Sequence, residues 1–183
     1  MRQIDLVPLG EVDSSILQYL LLVLPEGAGL SCNLASFGNM NLQEAYLPER
    51  QQHHSTRILE RLAASEEAGD HLRLGLTELD LCVPILTFVF GEAQLGGRAG
   101  VVSLRRLHQG FYGLPEDREL LLRRVEKECL HELGHLAGLT HCERFDCAMS
   151  FSSAVERVDM KEAAYCAACR DGLRAAFALP AAP

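Results

Sequence analysis

Residues 131–141 read His-Glu-Leu-Gly-His-Leu-Ala-Gly-Leu-Thr-His, the pattern H-E-x-x-H-x-x-G-x-x-H. On a helix, His131 and His135 lie one turn apart on the same face. Two imidazoles so placed can share one metal ion, each at about 2.0–2.1 Å. Glu132 projects beside them and could take a proton from water at that metal. Gly138 can adopt the left-handed conformation that ends a helix, so the chain can turn and bring His141 back as a third ligand. Three protein ligands leave one tetrahedral position open, which is the catalytic arrangement for zinc. A bare H-E-x-x-H arises by accident on helices rich in Glu and His. The fixed spacing of Gly138 and His141 makes that accident improbable here.

The chain has seven cysteines, and the last four crowd together after the third histidine: Cys142, Cys147, Cys166 and Cys169. A C-x4-C pair and a C-x2-C pair suit a closed four-sulfur zinc site, which admits no water and would be structural. Two other readings compete. The four could form two disulfides, although nothing in the chain speaks for export, and thiols stay reduced in the cytosol. The Cys166-Ala-Ala-Cys169 segment could be a redox pair, although the flanking sequence reads as helix and not as a βαβ unit. Cys32, Cys82 and Cys129 lie in apolar stretches and read as small buried hydrophobes. Met149, eight residues past His141, is by itself an ordinary core methionine.

Taken together, H-E-x-x-H-x-x-G-x-x-H-C, then x4-C-x-M, then C-x-x-C after sixteen intervening residues, resembles the archaemetzincins, small metallopeptidases of the metzincin type. The motif block, 131–169, covers about a fifth of the chain, and every motif position carries the expected residue type. The resemblance implies a catalytic zinc on His131, His135 and His141 with Glu132 as general base. It also implies a Met-turn at Met149 and a second zinc on Cys142, Cys147, Cys166 and Cys169, so two Zn2+ per chain. It further implies an antiparallel edge strand beside the cleft, around Thr87–Glu92, that could bind an extended peptide. The expected activity is zinc-dependent hydrolysis of peptide bonds in a peptide or protein. The alternative is a non-catalytic or weakly active zinc protein that binds peptides in the same cleft, and a third is hydrolysis of an amide that is not a peptide. For the second oxyanion donor, Tyr112, His108 and Tyr165 are candidates by residue type alone.

At 183 residues the chain is long enough for one sizeable core. Its 48% hydrophobic and 23% charged content is that of a globular protein. A net charge of −8 speaks against nucleic acid as a partner, because binding it needs basic surface. The opening Met-Arg-Gln-Ile-Asp-Leu-Val-Pro has no basic stretch followed by a long apolar one, and Leu20–Leu24 is too short to span a bilayer. The expectation is a cytoplasmic monomer with no membrane partner.

The elements that must hold these residues can be read coarsely. Strands are expected at Ile4–Leu9, Gly29–Ala35, Leu72–Leu81 and Val101–Leu104, and Ile85–Phe90 is a dense β-branched and aromatic run. A helix capped by Asp13 or Ser14 should stop near Leu24, before Pro25 and Gly27. A second helix is expected at Gln51–Ala68, with loops at 39–48 and 108–114. Pro115 should open a long helix running to about Gly138, with Leu122, Val125, Cys129, Leu133 and Leu136 on its buried face. A last helix is expected at Lys161–Ala178, and 180–183 should fray. Alternating strands and helices point to an α/β (α+β) layered metzincin-like domain with a mixed sheet of about five strands. One domain is expected over 1–183, with sheet and helices to 138 and the Met-turn, cysteine site and last helix over 139–183.

Overall fold

The computed structural model describes residues 2–36, 40–64 and 70–179. In chain order, the described residues form β1 (Ile4–Pro8), α1 (Ser14–Ala28), β2 (Cys32–Leu34), β3 (Tyr46–Leu47), β4 (Gln52–His54), α2 (Ser55–Ala64), β5 (Leu72–Thr77), β6 (Leu81–Cys82), β7 (Gly91–Ala93), β8 (Ala99–Ser103), α3 (Arg118–Leu136), α4 (Val155–Met160) and α5 (Ala167–Phe177). The main sheet has five strands in the order β2-β1-β5-β8-β7. All are parallel except β7, which runs antiparallel to β8 along the edge. This is the expected mixed sheet. The expected edge strand also exists but begins later, at Gly91. Of the Ile85–Phe90 run, Val89 alone bridges to another strand, at Leu81.

The central strands β1, β5 and β8 are buried on both faces. Ile4, Leu6, Leu72, Leu74, Leu76 and Val102 face a core shared with α1 and α3. Val7, Leu9, Ala99 and Val101 face α2 through Ile58, Leu59 and Leu62. The alternation of Leu72, Leu74 and Leu76 with Arg73 and Gly75 therefore marks two covered faces, as in central parallel strands. Gly75 is forced by space: a Cβ there would lie 2.8 Å from Leu9 and 3.0 Å from Leu62.

Several boundaries differ from the sequence-based expectation. Helix α1 continues through Pro25 to Ala28, where Gly29 at φ 71° closes it with an N–H donated to the Pro25 carbonyl. Leu24 and Ala28 are both fully buried, and that packing outweighs the proline. Gly27 does not stop the helix; it lets α1 approach α3, since a Cβ there would meet Leu130 at 2.8 Å. The Gln51–Ala68 helix starts only at Ser55, because Gln51 is left-handed (φ 53°) and His53 pairs with Leu81 in a separate three-stranded sheet, β3-β4-β6. Its expected end beyond Ala64 lies outside the described residues, as do the expected fraying of 180–183 and the loop call at Asn39.

The Leu72–Leu81 strand breaks after Thr77, whose hydroxyl accepts the Leu79 N–H. Helix α3 starts at Arg118, not Pro115, because Asp117 caps it by accepting from the Leu120 N–H at 2.9 Å. The expected last helix, Lys161–Ala178, is helical only in α5; its first part, 161–166, is a non-helical strap, and the short helix α4 precedes it. The strap is not helical because its backbone bonds to the 146–148 turn: the Glu162 N–H donates to the Asp146 carbonyl at 2.8 Å, and the Ala164 carbonyl accepts the Ala148 N–H at 2.9 Å.

Candidate active site

Helix α3 is buried along much of its length, and its polar residues face inward as well as its apolar ones. Arg124, Lys127, Glu128, His131 and Glu132 are all buried. At its end Gly138 (φ 85°) turns the chain, with its N–H donated to the His135 carbonyl at 2.8 Å. That turn returns His141 to its two predecessors. The ring centroids stand 4.6 Å apart for His131–His135, 5.3 Å for His131–His141 and 5.0 Å for His135–His141. One ring nitrogen from each lies within 4.8 Å of the others.

Backbone carbonyls set the tautomers. The His131 Nδ1–H donates to the Ala148 carbonyl at 2.8 Å, and the His135 Nδ1–H donates to the Leu139 carbonyl at 2.8 Å. A carbonyl only accepts, so each proton sits on Nδ1 and each Nε2 carries a lone pair. Those two Nε2 atoms are 3.1 Å apart. Burial, with Lys161 as the next cause, holds His131 well below the usual imidazole range; burial likewise lowers His135 and His141. Two neutral rings pointing lone pairs at each other repel, and a cation between them removes the repulsion. This donor set suits zinc.

Glu132 lies beside the histidines, and its Oε2 is buried with no hydrogen-bond partner. Burial pushes its carboxyl well above the usual carboxylate range; neighbouring Glu128 pushes the same way and Lys161 opposes. Its space is made by Gly91 on the edge strand, where any Cβ would collide with the Glu132 carboxyl. Met149 is fully buried against Gly134, the residue before His135. Its sulfur occupies the place a side chain at Gly134 would need, and its carbonyl accepts the Cys142 N–H at 2.9 Å. The cleft above has a volume of about 500 Å³ and is bounded by residues 86–93 on one side and by His141 and 151–153 on the other.

Behind this cleft, Cys142, Cys147, Cys166 and Cys169 bring their sulfurs within 4.8 Å of one another. The four are not joined as disulfides, and the Cys142 and Cys166 sulfurs stand 3.9 Å apart. The Cys166 N–H donates to the Cys147 sulfur at 3.3 Å. Cys166 precedes α5 directly, and hydrogen bonding from the Cys169 backbone lowers its thiol to about 7. Cys82 and Cys129 are buried as expected, while Cys32 is only half-buried.

None of the three residues considered as a second oxyanion donor lines the cleft. The Tyr165 hydroxyl is buried and donates to the Leu130 carbonyl at 2.5 Å, and that of Tyr112 donates to the Arg106 carbonyl at 2.9 Å. His108 stands in another cavity between Glu78 and Glu116. Gly91, Gly134 and the fully buried Lys161–Glu128 ion pair (3.0 Å) carry no motif signature. The Gly in H-E-L-G-H was the available hint for one of them.

Comparison with known proteins agrees with this geometry. The profile of peptidase family M54 matches residues 43–175. The archaemetzincin of Methanocaldococcus jannaschii is 40% identical over 92% of this chain and 91% of its own length. The crystal structure of the Methanopyrus kandleri archaemetzincin superimposes with a TM-score of 0.81 at 36% identity, covering 97% of this chain and 96% of that one. A zinc-dependent peptidase from Methanocorpusculum labreanum gives 0.85 at 27% identity, covering 93% and 99%. With this coverage the chain belongs to peptidase family M54, the archaemetzincins, and is a zinc metallopeptidase.

Proposed function

We propose that this chain hydrolyses peptide bonds in a peptide or protein substrate, with zinc held by His131, His135 and His141 and with Glu132 as general base. Zinc bound there would polarise the scissile carbonyl and acidify water. His131 and His135 present their Nε2 lone pairs because Ala148 and Leu139 hold the protons on Nδ1. Glu132 takes the proton of the attacking water and returns it to the leaving amine. The observation that carries this reading is the buried, unpartnered Glu132 Oε2 beside the three rings. A carboxylate buried without a partner is costly, and a protein that only binds peptides has no use for it.

Cys142, Cys147, Cys166 and Cys169 hold a second, structural zinc, and Met149 forms the turn under the first. Cys142 follows His141 directly, so holding its sulfur also holds the third ligand. The segment after residue 138 works as one domain with the sheet, joined through Lys161–Glu128 and through Arg124, which donates twice to Asp159 at 2.7 Å. No helix among the described residues is long and apolar enough to cross a membrane.

Two measurements test this. Elemental analysis should find about two zinc per chain, falling to one in His131→Ala/His135→Ala. Glu132→Ala should retain both metals and lose hydrolysis by about 10²–10⁴-fold. Hydrolysis retained in Glu132→Ala would remove that residue from its role.

A further inference from the structure

One wall of the cleft is the segment that joins β6 to β7. It is turn more than strand, and it exposes apolar side chains: Ile85 is 90% exposed and Leu86 42%. Two arginines set its shape. Arg50 directs its guanidinium at three carbonyls of this one turn. Its Nη1 donates to Val83 at 3.2 Å, and its Nη2 donates to Leu86 at 2.6 Å and Thr87 at 2.9 Å. Its Nε donates to the Gln52 Oε1 at 3.0 Å. The Gln52 Nε2 in turn donates to the Thr87 carbonyl at 3.0 Å and to Asp80 at 3.1 Å. Asp80 accepts Nε and Nη2 of Arg106 at 2.7 and 2.8 Å. The Arg106 guanidinium lies over the Phe88 ring, 4.3 Å from its centroid, and 4.8 Å from that of Phe111. One arginine therefore holds the backbone of the wall and the other holds its aromatic side chain, and Gln52 and Asp80 join them.

The lining is apolar: Leu86, Phe88, Val89 and Phe90 come from this wall, with Leu95 and Phe151 also on the cleft. An apolar subsite in a mobile turn would have to be ordered by each substrate. One already ordered avoids that cost, and affinity rises accordingly. Only a planar fork of donors can serve three carbonyls and a side-chain oxygen at once; an ammonium is a point charge on a flexible stem.

We infer that Arg50 and Arg106 are specificity-positioning residues, which hold the Leu86–Phe90 wall as a preformed subsite for a bulky apolar side chain next to the cleaved bond. Neither touches substrate; both act through the wall. The inference rests on the peptidase reading and names its substrate class, extended peptides with large apolar residues at the scissile bond.

The test uses two fluorogenic peptides that carry either Leu or Gly on both sides of the cleaved bond. The wild type should favour the Leu peptide at least about tenfold in kcat/KM. Arg50→Ala and Arg106→Gln should each remove about tenfold of that preference through KM, with kcat moving less than about threefold and zinc content constant. Arg50→Lys, which keeps charge but not the fork, should not restore it. Arg57→Ala, whose guanidinium donates to the Glu44 carbonyl on the surface, serves as control. Anisotropy of a labelled Leu peptide on zinc-loaded Glu132→Gln should show about tenfold weaker binding when Arg50→Ala is added.

A wild type without preference, equal losses on both peptides, losses confined to kcat, or rescue by lysine would each overturn the inference. Cleavage of neither peptide, with affinity still answering to Arg50, would defeat the peptidase reading and leave the positioning role standing. Cleavage of both, with neither KM nor affinity answering, would do the reverse.

Discussion

Gly134 sits between the first two histidines, at a helix position where alanine would ordinarily stabilise by about 0.8–1.0 kcal/mol. The structure reverses that preference. A Cβ there meets the buried Met149 sulfur and, at 3.2 Å, the Tyr165 ring, and neither can move aside because both are packed. Overpacking typically costs about 1–3 kcal/mol, so Gly134→Ala should destabilise by up to about 2 kcal/mol net, measured by chemical denaturation. A neutral or stabilising result would mean that Met149 repacks freely. Gly91 poses a different problem, since its missing side chain gives space to the Glu132 carboxyl. Gly91→Ala should lower kcat at least about tenfold by displacing that carboxyl, with zinc content unchanged. Full activity would show that Glu132 tolerates displacement.

At the scale of elements, the strap over 161–166 ties α3 to the cysteine cluster by two buried plugs. Lys161 pairs with Glu128, and Tyr165 bonds to the Leu130 carbonyl. Breaking a buried ion pair leaves an uncompensated charge and costs about 3–5 kcal/mol, whereas replacing both partners by apolar groups is often neutral. Lys161→Met should therefore lower Tm by on the order of 10 °C, and Lys161→Met/Glu128→Leu should recover most of it. Equal loss in the single and double variants would show that the pair matters for more than charge balance.

The small sheet contributes a pH effect. Both ring nitrogens of His53 are buried without partners, and burial lowers its pKa although Asp80 opposes the shift. A histidine depressed in the folded state contributes stability in full above the unfolded value near 6.5, and loses it as pH falls through the folded value. His53→Phe should accordingly gain stability relative to wild type as pH drops from about 7.5 to 5.5. A difference in Tm that stays flat across that window would exclude the effect.

For the whole molecule, the proposed zinc on the cysteine cluster should carry more structural weight than the histidine centre. Structural zinc sites can hold about 10–16 kcal/mol of apparent binding energy, and zinc on these four sulfurs would close the loop from Cys142 to Cys169. Cys166→Ser should lower Tm several-fold more than His131→Ala does, and hydrogen exchange should accelerate in 139–179 before it does in β1, β5 and β8. Equal, small shifts in the two variants would contradict a structural role.

The grouping of the candidate ligands was legible in the sequence because metal-ligand spacing is local. Four residues along a helix place His131 and His135 on one face whatever surrounds them, and a glycine three residues on permits the turn to His141. Cysteines three and five residues apart, Cys166 with Cys169 and Cys142 with Cys147, are likewise kept close by short separation along the chain. The layered α/β architecture was legible too, because apolar periodicity is a local signal. What lay out of reach joins residues far apart in the chain. Gln52–His54 became a strand because Leu81 lay beside it, α1 ran past Pro25 because α3 covered its last turn, and Lys161 left its helix for Glu128. Arg50 looks like any surface arginine until the fold folds the turn from Val83 to Thr87 over it. Periodicity and spacing record what one segment can do alone, whereas burial, register and close approach depend on which segment the fold brings against it.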